Sequence, residues 1–177
     1  MKNTKKIVIT AFFVALGVVL PVMFHSIHNF GGIFCPMHLP VLMCALICGW
    51  QYGLVCGALC PLLSSLMTGM PPFAIMPFMI IELCTYGLVS GLVMKKINTK
   101  KIYVDLYVSL ISAMLIGRVV NGIAKAVFLT NGYSISVWLT ANFVTCLPAI
   151  ILQLIIIPNL IMVLIKAKAI PNKYSLK

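Results

Sequence analysis

Three ionisable side chains fall inside stretches otherwise apolar enough to lie in a membrane: Glu82, Arg118 and Lys125. Charge in such a place is costly, so it faces a cavity or a partner. Arg118, Asn121 and Lys125 fall within about a 60° arc at 100° per residue, one polar stripe on one helix face. Glu82 has Thr85 and Tyr86 one turn away on its own face, and Asn142, Thr145 and Gln153 line a third helix. A buried ion pair between Glu82 and Arg118 would use two of the charges. It leaves Lys125 and Asn121 without a purpose. A pocket for a small polar solute uses all of them, and the single surplus positive charge favours a carboxylate or phosphate on that solute.

A polar loop over 24–38 adds to this. It holds all three histidines, His25, His28 and His38, together with Asn29, Gly31, Gly32 and Cys35. Glycines allow a tight chain, and the histidines and Asn29 offer hydrogen bonds, so a solute-capping loop is expected. A metal site on His25, His28, His38 and Cys35 is the rival. The order matches no usual zinc spacing and no acidic ligand lies near, so no metal and no cofactor is expected. Six of the seven cysteines sit in apolar runs, where cysteine acts as a small hydrophobe; there is no Cys-x-x-Cys. His-Glu-x-x-His, Gly-x-Ser-x-Gly and Walker patterns are also missing, which argues against an enzyme.

The elements that must position these residues are membrane helices. Of 177 residues, 62% are hydrophobic and 8% charged, and the mean hydropathy is +1.13. No soluble surface can be covered with so few polar groups, so an all-α integral membrane protein is expected. The formal charge of +11 does not imply nucleic acid. Eleven of the 13 basic residues form three clusters flanking apolar runs: Lys2, Lys5, Lys6; Lys95, Lys96, Lys100, Lys101; and Lys166, Lys168, Lys173, Lys177. That is the positive-inside pattern.

The first run, 5–23, lacks a small-residue cleavage site after it and reads as a retained helix. The stretch 39–68 would be about 45 Å long as one helix, too long for a ~30 Å core without strong tilt. Broken around Trp50-Gln51-Tyr52 it gives two helices, and all three lysine clusters then fall on one side. The expected spans are 5–23, 38–49, 52–68, 73–94, 104–129 and 137–165. This predicts six transmembrane helices, both termini cytoplasmic, in one domain over 1–177.

Small residues four apart let membrane helices approach closely. Gly49, Gly53, Gly57 and Gly87, Gly91 read as internal packing. Ala11 and Ala15, near the inner end of the first helix, suit an external partner. With Pro36-Met37-His38-Leu39-Pro40-Val41, the glycine ladder and Gly69-Met70-Pro71-Pro72, they complete a pattern covering nearly the whole chain. It resembles the substrate-binding S component of energy-coupling factor (ECF) transporters, a prokaryotic vitamin-uptake family.

The resemblance implies a substrate-capture subunit of the plasma membrane with no ATPase activity of its own. It would bind a vitamin or precursor at the outer face, with the first loop as lid and spans four to six as walls. A transmembrane coupling subunit, docking at Ala11 and Ala15, and two ATPases would then drive delivery inward. The binding residues expected are His25, His28, Asn29, His38, Glu82, Tyr86, Arg118, Asn121, Lys125 and Asn142. Pantothenate fits the surplus charge, and a vitamin B6 form fits nearly as well. Two other classes compete: a stand-alone secondary transporter or channel with Glu82 as proton carrier, and a metal protein or membrane enzyme centred on the histidines.

Overall fold

The computed structural model describes residues 3–23, 34–128 and 134–170, and every regular element among them is helical. Helix α1 spans Asn3–Met23, α2 His38–Cys48, α3 Trp50–Thr68, α4 Met76–Lys96 and α5 Ile102–Phe128. A short α6, Ile135–Leu139, leads through a π-helical segment, Thr140–Thr145, into α7, Leu147–Lys166. Among the described residues, helices α1, α3, α4, α5 and α7 are the 5 that are long and apolar enough to cross a membrane.

The expected second span, 38–49, forms as a short helix. Helix α2 has 11 residues, a rise of about 16 Å, or half of a ~30 Å core. It packs on α1, α3, α4 and α7. His38, Pro40, Val41, Leu42, Met43, Cys44, Ala45 and Cys48 are all buried, so α2 is apolar all round because protein surrounds it. The break expected around Trp50-Gln51-Tyr52 falls just before them, at Gly49, whose φ of +103° is open to glycine for want of a Cβ; Trp50 already begins α3.

One unbroken helix over 137–165 is corrected by the structure. Pro148 has no N–H to return to Val144, so the ordinary helical ladder fails there. Thr145 Oγ1 donates to Thr140 O (3.1 Å) and Cys146 Sγ to Ala141 O (3.2 Å), each five residues back. These side chains bond the same carbonyls that the five-residue π turn spans, and the π segment leads directly into α7.

Helix α4 is the centre of the bundle, packed along α3 on one side and α5 on the other. Its seam with α3 is backbone against backbone. A Cβ on Gly87 would overlap the Gly53 carbonyl, and one on Gly57 would stand 2.5 Å from Leu83 O. The glycine ladder is internal packing, as its spacing suggests. Gly87→Ala must therefore push two helices apart, and should destabilise the fold by about 3 kcal/mol. The expected reading is a fall of roughly 6–12 °C in the unfolding temperature of detergent-purified protein.

At the opposite end from the polar stripes, Asp105 is a buried ionisable residue beyond the three counted from the sequence. Its Oδ1 accepts from Thr99 N (3.2 Å) and Thr99 Oγ1, fixing the turn between α4 and α5. Lys5 Nζ donates to Ala169 O (3.0 Å), tying the start of α1 to the residues after α7.

Candidate functional site

One helical turn of α4 brings Glu82 and Tyr86 onto one face, four residues apart, and both are buried. A buried carboxylate must be compensated by donors. Tyr86 OH donates to Glu82 Oε1 (2.9 Å), and His38 Nε2, from the first residue of α2, lies 3.5 Å from the same oxygen. Asn121 Nδ2, from α5, donates to Glu82 Oε2. The His38 and Tyr86 rings meet edge to face at 5.2 Å. Three helices thus converge on one acid.

Arg118 enters one turn before Asn121. Its Nε donates to Tyr86 OH (3.2 Å), and Nη1 donates to the backbone carbonyl of Asn142 in the π segment. The guanidinium carbon sits 5.5 Å from the centroid of the Phe143 ring. A direct ion pair of Glu82 with Arg118, the rival to a pocket, is not what forms: the Tyr86 hydroxyl stands between them, accepting from the cation and donating to the anion. Asn142 contributes its carbonyl to Arg118, while its own Nδ2 donates to Trp138 O (3.0 Å).

Two glycines of α5 make this packing possible. A Cβ on Gly117 would overlap the Tyr86 ring, and one on Gly122 would overlap the Trp138 indole. Trp138 Nε1 in turn donates to Arg118 O (3.2 Å). Gly117, Gly122, Trp138 and Phe143 escape a search for polar stripes. Their signal is the pair of small residues flanking Arg118 and Asn121 inside a span, which marks a close approach.

Other expected residues fall elsewhere. His25, His28 and Asn29 lie outside the described residues. Lys125, one turn beyond Asn121, is half-buried and makes no hydrogen bond or ion pair among the described residues. Thr85 turns its hydroxyl back to Ile81 O (2.7 Å), and Thr145 is exposed. Gln153 is buried and donates to Cys35 O (3.5 Å) instead of joining Glu82. On α1, Phe13, Val14 and Gly17 face the bundle, whereas Ala11 and Ala15 are exposed.

Two polar atoms of the cluster are buried and have no hydrogen-bond partner among the described residues: His38 Nδ1 and Asn121 Oδ1. Each costs on the order of 1–3 kcal/mol if left so. Arg118 uses two of its five N–H donors in the bonds above. Acceptor, imidazole nitrogen and spare cationic donors stand together in a buried setting. Such a set has the chemistry to suit a polar molecule.

A family model described as ECF transporter, substrate-specific component, matches residues 5–164. No curated protein matches the chain.

Proposed function

From the chain's place in the family of ECF transporter substrate-specific components, to which it belongs, we propose that it captures an anionic vitamin-like solute at the Glu82–Arg118 cluster. Members of this family are multi-pass membrane subunits that bind substrate for transport and are not enzymes. The observation that carries the solute assignment is the pair of buried unpartnered atoms, His38 Nδ1 and Asn121 Oδ1, beside Arg118. A carboxylate or phosphate would take the spare Arg118 donors, with Lys125 adding attraction from one turn away. A hydroxyl or amide N–H on the same solute would satisfy Asn121 Oδ1. Pantothenate carries both kinds of group, and phosphorylated vitamin B6 forms are the next to test.

The experiment is a thermal-shift screen of purified protein against water-soluble vitamins and their precursors. One acid-bearing compound should raise the unfolding temperature progressively with its concentration, the stabilisation being RT ln(1 + [L]/Kd), or about 2.7 kcal/mol at a hundredfold excess over Kd. Stabilisation by cationic or uncharged compounds alone would reject the assignment.

In the membrane we propose six crossings, with α2 as the short second one, and both termini in the cytoplasm. The lysine clusters support this, as does the Lys5–Ala169 bond, which sets the two ends of the bundle's chain side by side. An introduced Asn98→Cys, on the exposed turn after α4, should then resist an impermeant thiol reagent in intact cells and react after lysis. Labelling in intact cells would overturn the topology.

The capture subunit is proposed to hand its solute to a coupling subunit and two ATPases, docking through the exposed Ala11–Ala15 face of α1.

A further inference from the structure

Cys35 Sγ and Cys146 Sγ lie 3.7 Å apart, although 111 residues separate them. The placement is set from both sides. Cys35 has a φ of +44°, unusual for a residue with a side chain. Its carbonyl accepts from His38 N (3.1 Å) on α2 and from Gln153 Nε2 (3.5 Å) on α7. Cys146 sits where the π segment meets α7, four residues after the Asn142 carbonyl that holds Arg118. Both residues are half-buried, unlike Cys44, Cys48, Cys56 and Cys60, which are buried.

We propose that Cys35 and Cys146 form a reversible disulfide that clamps the segment leading into α2 onto the last crossing, beside the mouth of the binding cluster. A disulfide bond length of about 2.05 Å asks each sulfur to move by less than about 1 Å from its present position. The oxidant is an external small-molecule disulfide, RSSR. One cysteine thiolate attacks it and releases RS⁻, and the second thiolate displaces the other RS⁻ from the mixed disulfide. The two thiol protons pass to the two RS⁻, so two cysteines are oxidised and one RSSR becomes two RSH. The pair lies toward the outer side in the topology proposed above, where disulfides persist. The exchange chemistry itself does not depend on that topology or on any solute.

The test uses the full-length purified chain and oxidised glutathione. Alkylation after denaturation should count a fall from seven thiols to five, and mass spectrometry without reductant should return one cross-linked peptide joining Cys35 to Cys146. The unfolding temperature should rise by roughly 5 °C or more, because the closed loop is long. In a Trp50→Phe variant, acrylamide quenching of Trp138 should fall at least two-fold on oxidation and recover with reductant. Cys35→Ser and Cys146→Ser should each abolish all of these changes, and Cys35→Ala serves if the serine variant misfolds. A link mapped to Cys56 and Cys60, glutathione left on Cys35 or Cys146, or no thiol loss would overturn the disulfide. A disulfide that leaves Trp138 quenching unchanged would overturn the clamp. Failure of every vitamin to bind would leave both standing and count against the capture function alone.

Discussion

Replacing Arg118 and Glu82 together by glutamine should give a folded protein that binds its solute ten- to a hundredfold more weakly. Removing one charge alone would strand the other inside the bundle, and a buried unpaired charge is strongly destabilising. The double change removes both with little loss of volume. Tyr86 OH keeps an amide oxygen to donate to, and the amide nitrogen of the glutamine that replaces Arg118 corresponds in chain length to Arg118 Nε, the donor to that same hydroxyl. A charge-assisted hydrogen bond to a solute acid in such a dry setting contributes about 1.5–3 kcal/mol. That is roughly a factor of ten to a hundred in affinity. Affinity and thermal stability must be measured on the same sample. Wild-type affinity in the folded double variant would make this cluster a scaffold and remove it from the site.

Ala11→Leu and Ala15→Leu should leave solute binding unchanged and cut uptake at least tenfold. Both alanines are exposed, and their neighbours Val8, Phe12 and Val19 are 64%, 60% and 49% exposed, so this face of α1 is largely uncovered by the described residues. Membrane helices with small residues four apart approach closely, and an isobutyl side chain holds the partner helix off that surface. Because the residues point away from Glu82 and Arg118, the binding cluster should not register the change. Uptake of the labelled solute by cells co-expressing the coupling and ATPase subunits is the measurement, with binding to the purified variants beside it. Normal uptake by both variants would mean that the coupling subunit docks elsewhere.

Much of this cluster was legible in the sequence because polar residues are so rare in it. Glu82, Tyr86, Arg118 and Asn121 stand out against apolar surroundings, and the 100° helical step alone puts them on facing stripes. His38 was legible as a residue at the mouth of a span. What periodicity could not supply was the pairing. Tyr86 lies between Glu82 and Arg118 only because Gly117 leaves room for its ring, and that is a property of two helices together. Asn142 joins through its backbone carbonyl, which no reading of side-chain types can find. The π segment rests on Pro148 and on Thr145 and Cys146 turning back onto carbonyls, a choice that hydropathy does not register. The short length of helix α2 was legible in its bounds, whereas its burial on all sides was not, because a buried helix and a spanning helix are equally apolar.

Thermodynamic coupling between the solute's acid group and Arg118 is the most direct measure of whether the cluster captures an anion. The affinities of the vitamin identified by the screen, and of its uncharged amide, are taken by equilibrium dialysis on wild-type protein and on the folded glutamine double variant. Neutralising the acid should weaken binding to wild type at least tenfold and change binding to the double variant by less than twofold. An equal loss in both proteins would mean that the acid is recognised somewhere other than Arg118.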